Sequence, residues 1–164
     1  MLSPVDFVRD LTPVKRRELA RARRELHSGR AGIGLRFDRE GTVRSGDIPV
    51  HYYDVGPVDA PLALVYVHGF NIAAEEFYMQ VEALRPLGVR QILVDLRGHG
   101  QTGRVDPRLL TIDAAADDIA LVMRTLLIDV PVIPIGHSLG SPVSLSLMRR
   151  HDFDWAGSVQ ISGA

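Results

Sequence analysis

One serine stands out for its neighbours. Ser138 sits between two glycines in Gly136-His137-Ser138-Leu139-Gly140, after the apolar run Val132-Ile133-Pro134-Ile135 and before a helical pattern. A hydroxyl on such a strand-to-helix crossing can be presented on a sharp, strained turn, with the glycines leaving room for the close approach of strand and helix. The free amides and positive dipole end of the following helix would favour an anion at the same place. The chemistry implied is nucleophilic attack by Ser138 on a carbonyl carbon. A serine can instead simply cap the helix, but capping does not call for two bare flanking positions. Two other glycine-containing polar turns also follow apolar runs: His68-Gly69-Phe70-Asn71 and Arg97-Gly98-His99-Gly100.

The elements that must position these turns form a series. Apolar runs at Ala63–Val67, Gln91–Asp95, Val132–Ile135 and Ala156–Ile161 alternate with helical patterns at about 74–85, 113–128 and 139–150. Continuous apolar strands joined by crossover helices predict an α/β fold, a mostly parallel sheet with helices on both faces. Ligands in such sheets bind beyond the carboxyl ends of the strands, where all three turns fall. Short β-like runs at Ile33–Phe37 and Ile48–Tyr53, separated by a polar turn over Asp38–Asp47, predict an antiparallel opening. Residues 1–31 read as a basic helical extension, with Lys15, Arg16, Arg17, Arg21, Arg23 and Arg24 around a thin apolar stripe of Val14, Leu19, Ala22 and Leu26. The core is expected over 32–164.

The three turns, in this order and each at a strand end, resemble those of the α/β-hydrolase superfamily, in particular bacterial serine esterases and lipases. The resemblance runs from about Leu35 onward and rests on Val65-Tyr66-Val67-His68-Gly69-Phe70, on Asp95-Leu96-Arg97-Gly98-His99-Gly100-Gln101-Thr102-Gly103, and on Gly136-His137-Ser138-Leu139-Gly140. It implies Ser138 as the nucleophile of a nucleophile elbow and the backbone amides of Phe70 and Leu139 as the oxyanion hole. It also implies turn-holding roles for His68, Gly69, Asp95, His99, Gly136, His137 and Gly140. Ser141 departs slightly from relatives that carry a second glycine there. A serine nucleophile, where dehalogenases and epoxide hydrolases carry Asp, implies a small-molecule ester or acyl substrate and an acyl-enzyme.

The rest of the triad is harder to find. The family's order is Ser, then an acid, then His, and the only later candidates are His151, Asp152 and Asp154. These fall at the far end of the helix after Ser138, about 18 Å away at the helical rise. His68, His99 and His137 match structural positions; none is expected to serve as a substitute base, His99 being the least unfavourable. His27 and His51 read as surface residues. The expectation is an α/β-hydrolase fold through strand six, with strands seven and eight absent and the triad incomplete in this chain. A sixth-strand edge at Val159–Ile161 would then favour self-association or a complementing chain. The competing expectation is a non-catalytic binding or structural protein that keeps the hydrolase core.

Composition excludes other classes. Lys+Arg and Asp+Glu nearly balance at a net charge of -1, so no global field favours nucleic acid. The absence of cysteine removes thiolate chemistry and disulfides. No apolar run reaches membrane-spanning length and no secretory signal is evident, so a cytoplasmic location is the default, with peripheral membrane contact by the basic helix disfavoured. Gly98–Gly103 fits G-x-G-x-x-G, but Arg104-Val105-Asp106-Pro107 continues as loop where a dinucleotide site needs a helix. No cofactor and no metal are expected.

Overall fold

The computed structural model describes residues 34–162, and the architecture is that of the unit beginning at Phe37. The predicted basic helix and the 1–31 extension lie outside the described residues. Strands β1 (Arg39–Ser45), β2 (Ile48–Val55), β3 (Ala63–Val67), β4 (Arg90–Val94), β5 (Val132–His137) and β6 (Val159–Ile161) form one sheet in the order β1-β2-β4-β3-β5-β6. β1 and β2 run antiparallel to their neighbours, and β4, β3, β5 and β6 are mutually parallel. The helices are α1 (Tyr78–Leu84), α2 (Ile112–Thr125) and α3 (Gly140–Leu147), with a 3-10 turn at Ala74–Phe77 leading into α1.

Alternation along the strands sends side chains to two helical layers. Val65, Val67, Ile92 and Val94 join Ile119 and Met123 of α2 and Val143 and Leu147 of α3 in one buried cluster. Tyr66 points to the other face, its ring centroid 5.0 Å from that of Phe77 and its hydroxyl donating to Gln91 Oε1 at 2.7 Å. Gln91 Nε2 in turn donates to the Val81 carbonyl of α1 at 3.1 Å. Every residue of β3 and β4 is buried, which is why Ala63–Val67 and Ile92–Val94 read as unbroken apolar runs.

The opening differs from the sequence expectation. Arg39–Ser45, expected within a polar turn, is β1, and among the described residues 35–37 form no strand. The turn is the two-residue loop Gly46-Asp47, with Ser45 paired to Ile48 and Gly46 at φ 61°, the first-position glycine of a tight hairpin. β1 is an outer strand exposed on much of both faces, so burial imposes little apolar pattern on it. His51, expected on the surface, is 8% exposed. Its ring lies edge-on to Tyr53 at 4.7 Å, and its Nε2 is 3.2 Å from Glu40 Oε2. β6 is the outer strand on the other side, with Val159 45% exposed. No helix among the described residues is long and apolar enough to cross a membrane.

At the amino end of the parallel strands, Asp54 receives Arg90 through Nε and Nη2 at 3.1 and 2.9 Å and Arg39 through Nε and Nη2 at 2.8 and 3.1 Å. Arg90 continues to the Leu126 carbonyl at the end of α2. Burial would raise the Asp54 carboxyl, but its bonds from Arg39 and Arg90 prevail and hold it below the usual carboxylate range.

Candidate active site

Ser138 has φ 48°, a left-handed conformation that a non-glycine residue adopts only when its surroundings over-determine it. Here they do. A Cβ on Gly140 would fall 1.9 Å from the Val67 carbonyl oxygen, and one on Gly136 would fall 2.5 Å from the Gly140 carbonyl oxygen. β3, β5 and α3 therefore meet around the turn at distances only glycine permits. Two backbone bonds fix the turn: Ser138 N–H donates to the Ile161 carbonyl at 2.9 Å, and Ser141 N–H donates to the Ser138 carbonyl at 2.9 Å. Ser141 Oγ also donates to the Gly136 carbonyl, so the departure from glycine at this position is absorbed by a hydrogen bond.

The turn after β3 lies against it. A Cβ on Gly69 would sit 3.3 Å from Ser138 Cβ and 3.1 Å from His137 Nδ1. His68 is fully buried. Its Nε2 accepts from Leu96 N–H at 3.0 Å, which leaves the proton on Nδ1 to donate to the Gly69 carbonyl at 2.8 Å. Glu76 reaches both turns: Oε1 accepts from Gly69 N–H at 3.0 Å, and Oε2 lies 2.9 Å from His137 Nδ1. The sequence did not single out Glu76. Its partners are a backbone amide seven positions away and a ring 61 positions away, and no motif joins them.

The turn after β4 hangs on Asp95, whose carboxylate is fully buried. Oδ1 accepts from Ala74 N–H at 2.9 Å, Oδ2 from Gln101 N–H at 2.8 Å, and the Asp95 carbonyl from Thr102 Oγ at 2.6 Å. Desolvation raises the Asp95 carboxyl despite the bonds from Ala74 and Gln101. A Cβ on Gly100, at φ 48°, would overlap that carboxylate at 2.2 Å. The chain continues as loop through Asp106, and α2 begins only at Ile112, so no helix opens within Gly98–Gly103.

Between these turns and α2 lies a cavity of about 320 Å³, whose apolar walls include Phe70, Leu110, Ile112, Ala115, Leu139 and Val143. Arg97 also faces it, but its guanidinium grips both Asp118 oxygens at 2.7 Å and the Leu109 carbonyl at 2.8 Å. His99 Nδ1 lies 3.0 Å from the Arg97 carbonyl, which can only accept, so Nδ1 carries the proton. The Phe70 ring lies 5.7 Å from that of His99, and Phe70 itself is 64% exposed. The later acids lie elsewhere. Asp152 pairs with Arg124 at the far end of α2, and the Asp154 carbonyl accepts from Val132 N–H at the start of β5. No side chain among the described residues is hydrogen-bonded to Ser138 Oγ.

A mostly parallel sheet in this strand order, helices on both faces, and a glycine-cleared serine turn beyond β5 define an α/β hydrolase. Residues 59–164 match the serine aminopeptidase S33 family, and the chain belongs to it. It is 33% identical over 89 residues to the AB hydrolase superfamily protein YisY of Bacillus subtilis (strain 168), a match covering 54% of this chain and 32% of YisY. It is 32% identical over 114 residues to the bifunctional esterase/perhydrolase DCH of Acinetobacter calcoaceticus, covering 69% of this chain and 40% of DCH. The structure of a putative aryl esterase from Burkholderia cenocepacia superposes with a TM-score of 0.68 at 26% identity, over 77% of this chain and 47% of that one. The chain thus spans less than half the length of each of these relatives.

Proposed function

We propose that the protein is a serine hydrolase acting on carboxylic esters through an acyl-enzyme. The observation that carries this reading is Ser138 at φ 48° beside Gly69. The Leu139 amide is next to Ser138 in the chain and the Phe70 amide follows Gly69, and neither donates to a group among the described residues. Ser138 Oγ attacks the ester carbonyl carbon, and the oxygen that becomes negative is held by those two amides. Collapse breaks the bond to the alkoxy oxygen, the alcohol departs with the serine proton, and water then releases the carboxylic acid and restores Ser138. Removing either amide would cost roughly 2.7 to 4 kcal/mol of transition-state stabilisation. The serine proton must pass through a base, and in the family's order that base is a histidine following an acid.

The cavity supports an ester over a peptide with a free amino terminus. Its walls are largely apolar and its guanidinium is engaged by Asp118, so it suits an uncharged acyl or alcohol group. The relative DCH is described as an esterase/perhydrolase. The test is labelling by a fluorophosphonate together with hydrolysis of p-nitrophenyl butyrate. Both are expected where the acid and histidine of the family's order are present, and absent in Ser138→Ala. Turnover that survives Ser138→Ala would refute the assignment. A wild type that carries that acid and histidine and is still inert to both reagents would favour a non-catalytic protein built on a hydrolase core.

A further inference from the structure

We propose that Glu76 is a positioning residue, locking the turn that carries the Phe70 amide to the turn that carries Ser138. The inference rests on the reading of Ser138 as nucleophile and Phe70 N–H as oxyanion donor.

Gly69 is the residue on which the direction of the Phe70 amide depends, and as a glycine it has the widest backbone freedom. Two peptide planes meet at its Cα, and each is held by a different side chain. The plane after it is held at the Gly69 carbonyl by His68 Nδ1–H. Because a trans peptide points N–H opposite to C=O, that bond also sets the direction of Phe70 N–H. The plane before it is held at Gly69 N–H by Glu76 Oε1. With both bonds made, the two torsions of Gly69 are fixed.

Glu76 then does what His68 does not. Its second oxygen takes the His137 ring, whose backbone is bonded directly to that of Ser138. An ionised carboxylate only accepts, so His137 donates from Nδ1. One carboxylate thus spans the donor turn and the nucleophile turn, from a 3-10 turn that is itself held at Ala74 N–H by Asp95. A misplacement of about 1 Å between such groups can cost on the order of a hundredfold in rate. Two points of attachment suppress that misplacement in both turns at once.

The test uses the full chain as Glu76→Ala, Glu76→Gln and Glu76→Asp. Glutamine can keep both contacts, its amide oxygen accepting from Gly69 and its amide N–H donating to the other His137 tautomer. Aspartate is too short to span both. In amide proton-nitrogen spectra, Glu76→Ala is expected to shift Phe70 and Ser138, neither of which is hydrogen-bonded to Glu76, and Glu76→Gln to leave them near wild type. The fluorophosphonate labelling rate should fall roughly tenfold to a hundredfold in Glu76→Ala, less in Glu76→Asp, and recover in Glu76→Gln. KM for p-nitrophenyl butyrate should stay within about twofold, so that the loss is read in kcat. If Glu76→Ala fails to fold, the Asp and Gln pair carries the same comparison. Shifts confined to Gly69 and His137, or labelling at the wild-type rate, would overturn the proposal. A wild type that carries the family's acid and histidine and is still never labelled would instead refute the nucleophile reading, and the spectra alone would then decide the role of Glu76.

Discussion

Asp54, at the amino end of the parallel strands, and Asp95 and Glu76, at the carboxyl end, are bonded in different ways. At the amino end Asp54 meets two guanidiniums, Arg39 and Arg90. At the carboxyl end Asp95 meets two backbone amides, Ala74 and Gln101, and Glu76 meets the Gly69 amide. An arginine side chain can adjust to its partner, so an ion pair fastens elements without dictating the path of the chain. A backbone amide cannot be moved without moving its peptide plane. Asp95 and Glu76 therefore set loop direction, and Asp54 sets cohesion.

Stability and geometry measurements can break this contrast. The largest effect is expected from Asp54→Ala, which leaves Arg90 buried without its partner and should cost roughly 3 to 5 kcal/mol in denaturant unfolding. The Phe70 and Ser138 amide resonances should stay in place; if they move, the two ends are not separable. Asp95→Asn should cost about 1 to 3 kcal/mol, because one amide donor would then face another. Here the resonances of Ala74, Gln101 and Gly69 should shift. Unshifted resonances would place Asp95 with Asp54 as a purely cohesive group.

Acid titration sharpens the same comparison, because the two aspartates have opposite signs. Asp54 is held low, so its contribution is present above the unfolded value of about 3.9 and is lost as pH falls through its lower folded value. Asp95 is held high by burial. Its contribution is therefore present below about 3.9 and is lost as pH rises through its folded value. Thermal midpoints against pH should show Asp54→Asn flattening the limb below about 4 and Asp95→Asn flattening the limb above it. The smallest effect belongs to Arg39→Ala. Its side chain is 42% exposed, and a loss of about 0.2 to 1 kcal/mol is expected. A larger loss would mean that Arg39, and not Arg90, holds Asp54.

Much of this fold was legible because burial writes itself into sequence. β3 and β4 are buried on both faces and β5 along most of its length, and all three appear as apolar runs within a residue or two of their ends. β1 left no such record, since Arg39–Ser45 is an exposed edge whose pairing depends on the Gly46-Asp47 turn. His51 was misjudged for a related reason: a polar residue outside any motif carries no sign that Tyr53 and Glu40 will enclose it. The glycines around Ser138 were legible because their requirement is steric and local. Glu76 and the Arg97–Asp118 pair were not, because their partners are distant in sequence and, for Glu76, partly backbone, which has no letter of its own.

The bond from Ser138 N–H to the Ile161 carbonyl gives the outermost strand a second meaning. The amide of the serine is the last rung of the seam between β5 and β6, so peeling of that seam must release it. Exchange of this single proton with solvent is accordingly a built-in gauge of how often the border of the sheet comes unzipped.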